Sequence, residues 1–224
     1  MASSHRPLDE SSSLVGGAQA ADSSTLFSRG NLFVLGGISV TLILVLSLAF
    51  GLVKTDKAAI YTAVAKISNE TVTGAVVFTQ SKSGGPVTIA LALTGIPAST
   101  KNADAGKDKF LHGMHIHAGS DLSNFCMAAG GHLNVTRVAR HGAPNEVTRH
   151  TGDLGNHLTT QNGATNEVFT DNVISLDPNN AAYVGNKAFV IHADYDDLGL
   201  GNFSDSATAG HAGSRIACGV IVAS

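Results

Sequence analysis

His115 and His117 stand two apart in the stretch Leu111-His112-Gly113-Met114-His115-Ile116-His117. In a β-strand, residues two apart point to the same face, so this spacing sets two imidazoles side by side. Five further ligand types follow: His132, His141, His150, Asp153 and His192. Together these six imidazoles and one carboxylate suffice for two metal ions that share a ligand. His132, His141 and His150 recur nine apart, with Asp153 three further on. Three imidazoles and a carboxylate suit a tetrahedral zinc ion. His115, His117 and His192 lie on or beside predicted strands, and an all-imidazole set suits copper. His132 follows Gly130-Gly131, where the chain can approach the strands closely, and is the natural shared ligand. A bound cation eases loss of its second ring proton. Any one of the ten histidines, taken alone, reads as a surface or hydrogen-bonded residue. The ordered set carries the metal reading.

Strands must position these groups. Apolar and polar residues alternate over Ile60–Ile67 and Thr73–Gln80, with a turn at Ser68–Thr71 between them. Gly84-Gly85-Pro86 turns the chain into a third strand, Val87–Leu93. Gly95–Lys109 reads as a polar loop and Phe110–His117 as the strand that bears the His pair. Gly119–Gly155 is a long Gly-punctuated connection, a length that calls for a function or a clamp. Val168–Leu176, Ala188–His192 and Ile216–Ala223 read as further strands, with a second long loop at Asp194–Gly213. No amphipathic helix of three turns follows Lys57, so the pattern is an all-β sandwich or barrel with two long loops.

Three segments organise the chain. Residues 1–31 are rich in Ser, Ala and Gly and read as a disordered tail. Residues 32–53 are apolar and uncharged, long enough as a helix to cross a hydrocarbon core. We read them as a transmembrane anchor in preference to a cleaved signal peptide, whose release would leave a secreted protein. Residues 58–224 form one domain with ten Lys/Arg and thirteen Asp/Glu. That acidic balance argues against a nucleic-acid partner. Cys126 and Cys218 are either two buried thiols or a pair closing a loop of 92 residues. Such a closure is worth about 4–5 kcal/mol at most.

A family resemblance completes the reading. His112–His117 resembles the copper-binding strand of the copper/zinc superoxide dismutases. Arg149-His150-Thr151-Gly152-Asp153-Leu154-Gly155-Asn156 resembles their zinc-loop motif, and Gly213–Ile221 their C-terminal signature. The resemblance spans roughly Tyr61 to Val222 and implies an eight-stranded Greek-key β-barrel, an immunoglobulin-like sandwich. It implies copper on His115, His117, His132 and His192, and zinc on His132, His141, His150 and Asp153. Asp196 would join His115 to His141 behind the metals, with His112 in the same supporting shell. Cys126 and Cys218 would form the intradomain disulfide. Arg215 would bind the superoxide anion, and His132 would carry a proton in its dismutation to O2 and H2O2. A homodimer and a copper-loading partner are also implied. The other reading is a non-catalytic member that stores or delivers copper and zinc. The complete ligand set and Arg215 argue against it.

This chain departs from the family in places. Asp194 and Thr208 stand where the second long loop usually carries anion-attracting lysines, which predicts slower turnover with weak salt sensitivity. Gly119 replaces a bulky residue of the usual dimer contact. Three glycosylation sequons occur, at Asn69, Asn134 and Asn202, of which we expect at most Asn69 to be used. Arg29 before the apolar segment and Lys54, Lys57 and Lys66 after it favour a cytoplasmic domain. The disulfide-bearing domain behind a long apolar segment favours export. We expect the lumenal or extracellular side.

Overall fold

The computed structural model describes residues 59–99 and 109–224. The expected tail 1–31, the apolar segment 32–53 and residues 100–108 of the first long loop lie outside the described residues. Among the described residues no helix is long and apolar enough to cross a membrane.

Eight strands follow in chain order: β1 (Ile60–Ser68), β2 (Thr73–Ser81), β3 (Val87–Thr94), β4 (Lys109–His117), β5 (Asp153–Thr160), β6 (Thr165–Asp171), β7 (Ala188–His192) and β8 (Arg215–Ala223). Their ladders run in the order β5-β4-β7-β8-β1-β2-β3-β6, every pair antiparallel. The β3–β6 and β4–β7 neighbours are distant in sequence, which makes the arrangement a Greek key. Alternation does what the sequence predicts on β3, where Val87, Ile89, Leu91 and Leu93 are all buried. They join Ile67, Val76, Phe78, Met114, Ile116, Phe189 and Ile221 in one interior cluster. Strand β7 is buried along its whole length.

Two expectations need correction. Asp153–Thr160, the first part of which reads as loop, is strand β5. Gly155 hides it: its φ of 79° interrupts the regular strand backbone, and with it the period-2 pattern that marks strands. The strand expected at Val168–Leu176 instead runs Thr165–Asp171. Asp171 ends it by accepting the backbone N–H groups of Val173 at 2.8 Å and Ile174 at 2.9 Å, which turns the chain. The apolar residues Ile174 and Leu176 are buried after that turn, beyond the strand.

No ladder joins β5 to β6, so the row of eight strands leaves a seam. Side chains cross it. The Thr159 and Thr165 hydroxyls lie 2.8 Å apart, and His157 Nδ1 is 3.1 Å from the Glu167 carboxylate. Arg149, just before β5, pairs with Asp171 at the end of β6. The barrel is therefore closed by hydrogen-bonded side chains where backbone pairing stops.

Candidate metal centre

Strand register assembles the site. His115 on β4 pairs across the ladder with Asp153, the first residue of β5. His117 pairs with His132 in an isolated bridge. His192, the last residue of β7, pairs with Arg215, the first of β8. Each pairing draws two groups distant in sequence onto one patch at the barrel surface. Met114 and Ile116 alternate with the two histidines and anchor that stretch of β4 in the core.

The seven expected ligands converge on two centres. His115, His117, His132 and His192 can bring one nitrogen each within 4.8 Å of one another. His132, His141, His150 and Asp153 do the same with three nitrogens and a carboxylate oxygen. His132 belongs to both groups.

Hydrogen bonds behind the rings decide which nitrogen faces inward. His117 Nδ1 donates to the Gly130 carbonyl at 2.8 Å, and His192 Nδ1 to that of Gly213 at 3.1 Å. His115 Nε2 and His141 Nε2 both donate to Asp196, at 2.8 Å. A neutral imidazole that donates from one nitrogen carries a lone pair on the other. On His117, His192 and His115 those opposite atoms (Nε2, Nε2 and Nδ1) are buried and lack a hydrogen-bond partner, whereas His141 Nδ1 faces Asp153 Oδ1 at 3.0 Å. Leaving one such acceptor unsatisfied costs about 1–3 kcal/mol, so the three that converge from His115, His117 and His192 favour a cation between them.

The second centre is built around one oxygen. Asp153 Oδ2 accepts the backbone N–H groups of Gly142 at 3.1 Å and His150 at 2.8 Å. Its Oδ1 is left facing the Nδ1 atoms of His132 at 2.7 Å, His141 at 3.0 Å and His150 at 3.2 Å. Three nitrogens and one oxygen gathered this way form the donor set of a structural zinc ion. A third cluster, His115, His141 and Asp196, is equally compact. It does not read as a metal site, because both rings already give their Nε2 protons to the carboxylate.

Charge follows the same plan. Burial, reinforced by neighbouring rings, holds His115 well below its ordinary value and His132 below it despite Asp153. Burial also takes His117 down to about 2 and His192 down to about 4. The first group is thus neutral at pH 7, as metal binding requires. Burial pulls His141 down too, but hydrogen bonds to Asp153 and Asp196 outweigh it and raise this ring to about 9. Burial opposes ionisation of Asp153, yet bonds to His132, His141 and His150 keep it well below the carboxylate range. The residues present fit a copper ion in the first group and a zinc ion in the second.

Arg215 is held rigidly beside His192. Its two terminal nitrogens donate to the carbonyls of Cys126 at 2.6 Å and Gly130 at 2.5 Å. Cys126 is disulfide-bonded to Cys218, which excludes the free-thiol alternative. His112 Nδ1 bonds the His192 carbonyl at 2.9 Å and so steadies that residue's backbone.

Some supporting groups carry no ligand signature in the sequence. Asn156 brackets the backbone of Asp196, donating to its carbonyl and accepting from its N–H, both at 2.7 Å. Arg149 lies buried and donates to the carbonyls of Pro144, His150, Thr151 and Asp153, which rivets the loop to the β5 end. Both residues fall inside the motif quoted above, which was the available signal. Gly210 adopts φ 66°, and a Cβ there would lie 1.9 Å from Asp196 Oδ1. Only glycine lets the second loop close over that carboxylate. Asp194 is buried and accepts from the Ser99 hydroxyl at 3.2 Å, so it does not face solvent as a steering residue would.

A Greek-key barrel with two adjoining metal centres that share one histidine defines a binuclear metalloprotein. A sequence profile of the copper/zinc superoxide dismutase (SODC) family matches residues 72–221, and the chain belongs to that family. The extracellular superoxide dismutase [Cu-Zn] of Haemonchus contortus is 44% identical over 151 residues, covering 66% of this chain and 81% of that protein. The Drosophila melanogaster protein of the same description is 42% identical over 153 residues, covering 68% and 77%. Superoxide dismutase [Cu-Zn] 4 of Dictyostelium discoideum is 38% identical over 160 residues, covering 71% and 96%. The crystal structure of the clock protein EA4 superposes with a TM-score of 0.63 at 36% identity, covering 72% of this chain and 93% of that one.

Proposed function

We propose that the domain dismutates superoxide, with His115, His117, His132 and His192 holding copper and His132, His141, His150 and Asp153 holding zinc. The observation that carries this reading is His132, the one side chain common to two four-residue donor groups. Copper bound in the first group supplies the one-electron exchange that turns two superoxide anions and two protons into O2 and H2O2, while zinc supplies fixed positive charge. Everything else is done by side chains and backbone carbonyls of the chain itself. Gly130, Gly213 and Asp196 lock the ring orientations, so the ligands do not have to reorganise as charge changes. Arg215, fixed by two carbonyls, holds the anion by charge-assisted hydrogen bonds with a guanidinium that stays protonated at any working pH. His132 Nε2 is the atom that takes up a proton and delivers it to the reduced substrate.

Metal analysis and superoxide turnover of the full chain and of His132→Ala test this. The expected result is one copper and one zinc per chain for the parent. The variant should lose most activity, its metal affinity falling by about 10–100-fold or more. Full turnover by His132→Ala would remove that residue from the mechanism.

We further propose that the protein is exported, with residues 32–53 acting as an anchor or, if cleaved, as a signal that releases the domain. Support comes from two relatives described as extracellular and from the Cys126–Cys218 disulfide. Protease digestion of sealed cells and vesicles tests the side of the membrane. A homodimer and a copper-loading partner remain part of the proposal, and sedimentation equilibrium of the metal-loaded protein checks the first.

A further inference from the structure

We infer that Asn202 is the N-glycan acceptor of this chain, an assignment that rests on the export proposed above. Three sequons compete for that role, Asn69-Glu70-Thr71, Asn134-Val135-Thr136 and Asn202-Phe203-Ser204. Transfer joins the acceptor Nδ2 to the anomeric carbon of a lipid-diphosphate-linked oligosaccharide. A C–N bond forms, the C–O bond to the diphosphate breaks, the lipid diphosphate leaves and Nδ2 gives up one proton. The acceptor amide must therefore be open to the enzyme and remain open in the folded product.

Two of the three amides are engaged. Asn69 Nδ2 donates to the Ile216 carbonyl at 2.8 Å. Its Oδ1 accepts from the backbone N–H groups of Thr71 at 2.9 Å and Val72 at 2.7 Å. Asn134 is half-buried, donates from Nδ2 to the Val138 carbonyl at 2.7 Å and accepts from the Val138 N–H at 3.2 Å. The bonds of Asn134 and the Oδ1 bonds of Asn69 span four residues or fewer. Such local bonds compete with the extended conformation an acceptor must adopt. Asn202 is exposed, and its side chain makes no hydrogen bond among the described residues. Ser204 is exposed as well. The proposal of Asn202 stands in place of the expectation that at most Asn69 is modified.

The surroundings of Asn202 also suit a sugar. Leu200 is 68% exposed and Phe203 54% exposed on either side of it. A glycan would cover these apolar groups, as bulky solubilising glycans do elsewhere. It would sit on the same loop that carries Asp196, with its base fixed by the stacking of Phe203 on His211 at 3.7 Å.

The test expresses the full chain in a eukaryotic host in two forms, with its own N-terminus and behind an added cleavable secretory signal. Gel shift on enzymatic deglycosylation and peptide mapping of the Asn→Asp mass mark are read for the parent, Asn202→Gln, Ser204→Ala, Asn69→Gln and Asn134→Gln. In the signal-led form we expect the shift to vanish in Asn202→Gln and Ser204→Ala and to persist in the other two variants. A shift that survives Asn202→Gln, one that vanishes with Asn69→Gln or Asn134→Gln, or no shift in the signal-led parent overturns the assignment. Glycosylation of the signal-led chain at Asn202 with none on the native-terminus chain supports the acceptor and sinks the export proposal alone.

Discussion

Asp196 links the two donor groups through one carboxylate. It receives N–H groups from His115 and His141, one from each donor group, and its backbone is pinned by Asn156. Asp196→Asn removes the charge and half the acceptor capacity. We expect copper and zinc affinity to fall by about 10–100-fold in chelator competition, with the far-UV spectrum of the barrel unchanged. The same residues set the pH response of chelated, metal-free protein. Burial holds His117 at about 2 and His192 at about 4, below the ordinary value of 6.5, so the unfolded chain binds protons first as pH falls. That stability is complete above pH 6.5 and is lost towards pH 4 and below. Asp153 adds a loss in the same direction below its ordinary value of 3.8. His141, raised to about 9, contributes stability that is complete below 6.5 and lost as pH rises through 9. Urea midpoints should therefore peak near pH 6.5 and fall more steeply on the acid side, about 1.4 kcal/mol per pH unit for each proton taken up. A flat profile from pH 5 to 9 would show these rings to be open to solvent. The seven residues that the fold gathers into two donor groups were legible in the sequence, because their spacing is a chemical pattern. The orienting carbonyls of Gly130 and Gly213 were not, since any residue offers a carbonyl and only the fold aims it.

Strand signals served well where one face is buried and the other wet. They found β1, β2, β3, β4, β7 and β8 to within a residue or two. They failed at β5 and β6, the two strands that flank the seam. Gly155 breaks the alternation of β5, and the inward positions of β6 include Thr165 and Glu167, which a search for apolar alternation passes over. The polar residues that obscured these strands are those that hold them together. Thr159 and Thr165 are both buried and pair only through their hydroxyls across the gap. Thr165→Val should strand the Thr159 hydroxyl and cost about 1–3 kcal/mol in urea unfolding. Adding Thr159→Val should recover part of that loss, since removing both partners leaves no orphan. Strictly additive losses would mean that the hydroxyls do not work as a pair.

At the scale of the whole molecule the question is how a negatively charged protein attracts an anion. The chain carries a formal charge of −3. Asp194 is tucked against Ser99 and Thr208 is exposed but neutral, so neither adds positive charge beside Arg215, the proposed anion-binding residue. The second-order rate constant should accordingly change little with ionic strength. Thr208→Lys should raise it by roughly two- to tenfold at low salt and restore a salt dependence. A steep salt effect in the parent would reveal steering by residues other than these. Arg215 is also tethered, through one terminal nitrogen to the peptide oxygen of Cys126 and through the other to that of Gly130, which holds His117 as well. The cystine therefore sits one bond from the aim of Arg215, the cation proposed to hold the substrate. Thiol reductants would loosen the grip on the anion before they loosen the barrel, so catalytic efficiency would report the redox state of the surroundings sooner than unfolding would.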